Sequence, residues 1–200
     1  MGGASSCVLG LAPHSGWAAA VLLESGAGPH VLACERIELA DAALEGSKQP
    51  YHAIEALPLR EARRRLAQLE ASSLALARQA LQVLALEARA LGATLHAAAI
   101  LDASGRSGTS LEGILTSHAL IHTADGNHFR AALAQACAAE GLAVTRVPRR
   151  ELAVRAAVVL RRTPQQLRRV VDSLGRDLGP PWGVDQKDAA LIAWLVLGAE

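Results

Sequence analysis

His118, His122 and Asp125 are spaced i, i+4 and i+7, so a continuous helix would carry all three on one face. Two imidazoles and a carboxylate are a donor set for Zn²⁺ or Fe²⁺, which makes the trio a candidate site for metal-dependent hydrolysis. The HExxH pattern of zinc proteases is absent, because Ala119 follows His118. The other reading of this group, with His128 nearby, is a set of hydrogen-bonded or surface histidines. A second chemical signal is charge. Between Leu142 and Arg169 stand eight arginines and one glutamate, and Arg149, Arg150, Arg155, Arg161 and Arg162 are among them. Guanidinium groups grip phosphate bidentately, so this segment suits a nucleic-acid backbone, with a solvated helix face as the alternative. The loop at 104–109 offers backbone N–H groups and Arg106 to a phosphate, although its spacing fits neither a P-loop nor a dinucleotide fingerprint. Trp182, behind Gly179-Pro180-Pro181, is placed either to stack on a base or to plug the last helix.

The chain that positions these groups has 200 residues, 51% of them hydrophobic, with 20 Lys+Arg against 19 Asp+Glu. It should fold as one domain, 1–200, around its own core. A net charge of +1 excludes a polybasic coat for nucleic acid, so any such contact must be a local patch. Cys7, Cys34 and Cys137 are odd in number and lack CxxC spacing, which fits buried, inert thiols. The longest apolar run, 189–199, is about half of the ~20 residues that cross a bilayer, so no membrane span is expected. The N-terminus lacks the features of a signal peptide, and the expected location is the cytoplasm.

Short apolar runs at 7–11, 17–24 and 31–39, separated by turn residues, predict three antiparallel strands. Gly46, Pro50 and Pro58 make 40–58 an irregular loop. No Gly or Pro interrupts 59–91, and Leu66, Leu69, Leu76, Leu84 and Leu91 recur near helical spacing, so one long helix is expected there. Its later, Ala/Leu-rich turns suit pairing with a second copy. A buried strand at 95–101 follows the Gly92 cap. Next comes a helix from about Leu111 that is expected to break near Asp125-Gly126-Asn127 and resume over 128–140. A strand at 142–147 leads to helices at 149–160, 164–174 and 185–197, and Thr163-Pro164-Gln165-Gln166 is a capping start for the second of them. The sum is an α/β fold with a mixed five-stranded sheet, three antiparallel hairpin strands plus two parallel strands, flanked by helices on both faces.

This order of elements, with the residues at its junctions, resembles the RuvC-type Holliday-junction resolvases of the RNase H-like superfamily. Val8-Leu9-Gly10-Leu11-Ala12-Pro13-His14-Ser15-Gly16-Trp17-Ala18 is similar to that family's first strand and turn. Ala12, however, stands where the family has its first catalytic aspartate, and His14 where it has a glycine. Ala98-Ala99-Ile100-Leu101-Asp102 is similar to the central strand that ends in an acidic ligand. Gly141-Leu142-Ala143-Val144 and Pro148-Arg149-Arg150-Glu151-Leu152 are similar to the next strand and helix entry. Asp185-Gln186-Lys187-Asp188-Ala189-Ala190-Leu191-Ile192-Ala193 resembles the acidic last helix.

The resemblance implies a divalent-metal-dependent, structure-specific DNA endonuclease, a homodimer that acts on branched or single-stranded DNA. Mg²⁺ or Mn²⁺ would be held by Asp102, Asp185 and Asp188. Ala12 cannot bind a metal, so the same resemblance implies a degenerate active site, with His14 as a replacement ligand better suited to Mn²⁺ or Zn²⁺. A catalytically inactive module that binds nucleic acid or protein is the alternative. Structural roles stand beside these: Asp102 as a turn former and Asp185 as a helix N-cap.

Overall fold

The computed structural model describes residues 5–24, 26, 28–103, 110–176 and 178–199. Strands β1 (Ser5–Pro13), β2 (Trp17–Glu24) and β3 (His30–Glu38) form an antiparallel meander. Strand β4 (Ala93–Asp102) runs parallel to β1, and β5 (Ala143–Pro148) runs parallel to β4, giving the sheet order β3-β2-β1-β4-β5. The helices are α1 (Leu59–Ala90), α2 (Leu111–Leu115), α3 (His118–Ala139), α4 (Arg149–Val159), α5 (Pro164–Leu174) and α6 (Val184–Leu197). The expected mixed sheet is present, with helices on both faces.

Side chains alternate across each strand, so each central strand feeds two cores. Cys7, Leu9 and Leu11 of β1 and Ala98 and Ile100 of β4 pack under α1 and α3. Val8 and Ala12 of β1 and Ala97, Ala99 and Leu101 of β4 pack under α6 on the opposite face. This is why both strands read as unbroken apolar runs: each of their faces is covered. Burial also makes the thiols unreactive, pushing Cys7 up to about 11 and Cys137 up to about 12. Gly10 is where α6 crosses the sheet. A Cβ there would lie 1.9 Å from the Ala189 carbonyl oxygen, so only glycine lets the helix sit directly on β1.

The segment before α1 is irregular as expected, with a single 3₁₀ turn over His52–Ile54. Ile54 anchors it by burying its side chain against Ala62 and Leu66 of α1. Two local expectations need correction. The helix break expected at Asp125-Gly126-Asn127 lies instead at Thr116 and Ser117, between α2 and α3, and α3 runs unbroken through Gly126. The reason is that the buried Asp125 carboxylate accepts the Tyr51 backbone N–H at 2.7 Å and pairs with His52. It spends its acceptors on the 40–58 loop rather than on turning its own backbone. Asp185 is not the N-cap of α6. That position is Gly183, whose N–H donates to Gln186 Oε1 at 3.0 Å, so Asp185 in the first turn is left to other partners.

The start of α5 is as read from sequence. Thr163 Oγ1 accepts from Gln166 N at 3.2 Å, and Gln166 Oε1 accepts from Thr163 N at 2.8 Å.

Candidate functional site

The carboxyl ends of β1, β4 and β5 meet the starts of α4 and α6. Arg149, the first residue of α4, reaches Asp185 Oδ1 at 3.1 Å and Asp188 Oδ2 at 3.4 Å, one turn apart on α6. His14, one residue past β1, brings Nε2 within 2.8 Å of the same Asp185 oxygen. Its ring stacks flat on Trp17 with centroids 4.4 Å apart, which fixes it over the acid. Beneath them lies Ala12, fully buried in the α6-side core.

Asp102 takes a different partner. Arg146, the cross-strand neighbour of Ile100, clamps it with Nε at 3.0 Å and Nη2 at 2.6 Å. Strand alternation explains the separation, because Asp102 continues the Ala98–Ile100 face while Ala12 and α6 lie on the other. Between the two sits a cleft of about 310 Å³ lined by Pro13, His14, Asp102, Gly126, Arg130 and Arg149 among others. Arg130 of α3 spans the strand ends, donating to the Leu101 carbonyl at 3.2 Å and reaching the Pro13 carbonyl at 3.5 Å. Gly126 leaves room for it, since a Cβ there would stand 2.8 Å from Arg130 Nη1.

The electrostatics follow from this pairing. Burial alone would raise the Asp185 carboxyl, yet His14 and Arg149 beside it bring it below its ordinary value. Asp188 goes the other way: burial raises it, the Asp185 charge adds to the rise, and Arg149 opposes only in part. Burial likewise lowers the Arg130 guanidinium, with Arg146 and Arg149 adding to the shift and Asp102 opposing it.

The sequence therefore anticipated Asp185 and Asp188 as neighbours, while Asp102 takes Arg146 as its own partner. The trio His118, His122 and Asp125 is also rearranged. Among the described residues, the set of three His, Cys, Asp or Glu side chains whose ligand atoms all lie within 4.8 Å is His52, His118 and His122, with Asp125 behind His52. Arg150 is exposed beside Glu151, Arg155 is bound by Glu151 at 2.7 Å, Arg161 is exposed, and Arg162 lies over the Trp194 ring at 5.6 Å. Arg106 lies outside the described residues. Trp182 is packed on Gly175, and its N–H donates to the Val171 carbonyl at 3.0 Å, which accounts for it as a plug at the α5–α6 corner.

Arg130 and His52 escaped the sequence reading. The expected break at Gly126 hid the helical face that carries Arg130. His52 is a lone histidine in a loop, with no local pattern to mark it.

The strand order, with β1, β2 and β3 as an antiparallel meander and β4 and β5 parallel to β1 beneath helices on both faces, is that of the RNase H-like fold. More particularly, the fold is RuvC-like. Thermus thermophilus RuvC superposes with a TM-score of 0.54 at 15% identity, covering 96% of this chain and 93% of that one. RuvC of the same organism in complex with a Holliday junction substrate gives a TM-score of 0.52 at 14% identity, with coverage of 96% and 93%. No family model matches the chain, and no curated protein sequence matches it. Among the described residues, no helix is long and apolar enough to cross a membrane.

Proposed function

We propose that this chain is a nucleic-acid-binding module that has kept a RuvC-like fold and lost two-metal chemistry. The observation that carries this reading is Arg149, whose guanidinium lies against both Asp185 and Asp188 above the buried Ala12. A pair of Mg²⁺ or Mn²⁺ ions needs convergent, uncommitted oxygen ligands. The residues present do not fit that need. At the β1 position stands a methyl group, the α6 acids are paired with a cation of the chain itself, and Asp102 is committed to Arg146. A built-in guanidinium balances the acids with no ion bound.

The proposed partner is branched or single-stranded DNA. Supporting it are the likeness to a RuvC bound to a Holliday junction substrate, the exposed Arg149 and Arg150 where α4 leaves the strand ends, and the further exposed arginines Arg161, Arg162, Arg168 and Arg169 on α5 and the turn before it. Phosphate contacts of this kind position a protein on DNA and carry strong salt dependence. A homodimer through the later turns of α1, where Val83 and Leu86 are exposed, belongs to the same proposal, as does a cytoplasmic location.

The test is fluorescence anisotropy with a labelled four-way junction and a matched duplex, in chelator, across a salt series. The reading expects tighter binding to the junction and an affinity that falls about 10-fold or more between 50 and 200 mM salt for three or more phosphate contacts. Absence of binding to either DNA at the lowest salt would overturn it.

A further inference from the structure

The geometry points to a second site, independent of the strand ends: His52, His118 and His122 form a Zn²⁺-binding site whose geometry Asp125 sets. His118 and His122 occupy the first two turns of α3, and their Nε2 atoms lie 3.0 Å apart. His52 comes from the 3₁₀ turn of the 40–58 segment, with its ring centroid 4.5 Å from His122 and 5.3 Å from His118. All three ligand nitrogens lie within 4.8 Å of one another. Tetrahedral Zn²⁺ with Zn–N bonds of about 2.0–2.1 Å places its nitrogens roughly 3.3 Å apart, so small rotations of two exposed rings complete the geometry.

An independent observation comes from the layer behind. Asp125 is 3% exposed, and one of its oxygens takes the Tyr51 backbone N–H while the other takes His52 Nδ1. An acceptor on Nδ1 puts the proton there and leaves the His52 Nε2 lone pair for the cluster, the carboxylate–histidine arrangement that orients imidazole toward zinc. A single cation among the rings accepts one nitrogen lone pair from each histidine.

The chemistry selects the ion. Nitrogen donors suit Zn²⁺ and its borderline neighbours, whereas Mg²⁺ requires oxygen. Three histidines leave a fourth position, and the exposure of His118 and His122 opens it to water. No acid stands as a ligand, because Asp125 is spent on His52. The site thus joins the 40–58 segment to the start of α3, and its primary effect is to staple the two together.

The test uses untagged, chelator-treated full-length protein titrated with Zn²⁺ by calorimetry and with Co²⁺ by visible absorption. Expected are one ion per chain, the visible band of a four-coordinate Co²⁺ that Zn²⁺ displaces, no competition from excess Mg²⁺, and a thermal midpoint raised by about 5–10 °C at 100-fold excess over Kd. His118→Ala and His122→Ala alter exposed residues and should fold normally while losing the Co²⁺ band. Asp125→Asn should weaken binding about 10- to 100-fold while keeping one site. Binding that survives in the His118→Ala/His122→Ala double variant, or no binding by the intact chain, would overturn the assignment. Neither result bears on DNA binding at the strand ends.

Discussion

Arg149 stands 3.1 Å from Asp185, and that contact separates the behaviour of two acids one turn apart. With His14 and Arg149 against it, Asp185 ionises more easily than usual, while burial makes its neighbour Asp188 ionise less easily. A carboxyl whose folded value is depressed contributes stability above its unfolded value, near 3.9, and loses it as pH falls. One whose folded value is raised costs stability at neutral pH and is relieved by acid. Asp185→Asn should therefore cost about 1 kcal/mol at pH 7, a figure already discounted for partial exposure. Asp188→Asn should be neutral or stabilising by about 0.5 kcal/mol. Urea unfolding at pH 7 and pH 3.5 checks this, and both differences should shrink at the lower pH. Equal losses from the two variants at pH 7 would contradict the pairing.

Ala12 marks where a metal-binding acid is missing. Ala12→Asp places a buried carboxylate in the α6-side core with no cation added, which should cost about 3 kcal/mol in chelator. Thermal melts with and without Mn²⁺ provide the readout. Mn²⁺ should recover part of the loss in the variant and leave the native chain unmoved. An equal Mn²⁺ effect on the native chain would show that its own acids already gather an ion.

His128 gives the fold a pH dependence of its own. Its Nε2 lies 2.9 Å from Ser73 Oγ, and burial lowers its pKa to about 4. The unfolded chain binds this proton near pH 6.5, so stability should fall as pH drops from about 6.5 to about 4, by up to about 3 kcal/mol. His128→Gln should flatten that part of the stability curve. Parallel curves for the two proteins would remove His128 as the cause.

Gly10 tests the contact that brings α6 to the end of β1. Gly10→Ala drives a methyl into the Ala189 carbonyl, and neither backbone has room to yield. A loss of about 3 kcal/mol or more is expected in denaturant unfolding. A change below about 1 kcal/mol would mean that the helix is not seated on the strand.

Most of the architecture was legible because apolar runs bounded by Gly and Pro mark strands that are buried on both faces, as in β1 and β4. The Thr163–Gln166 box likewise announced α5 through purely local hydrogen bonds. The site was legible only in part. Asp185 and Asp188 are joined by helical spacing, which sequence displays, but their cation comes from α4, which spacing along the chain does not reveal. Asp102 was placed at the right strand end, and only its parity along β4 sends it to the other face. Asp125 read as a metal ligand beside an expected helix break because the loop that occupies it, with Tyr51 and His52, lies far away in sequence.

The central claim is that Arg149 has replaced metal chemistry at the strand ends, and strand cleavage tests it most directly. A labelled four-way junction, incubated with the protein in Mn²⁺ or in chelator and run on a denaturing gel, should show intact strands in both lanes. Nicks that require Mn²⁺ and vanish in Asp188→Asn would contradict the account and return Asp102, Asp185 and Asp188 to catalysis.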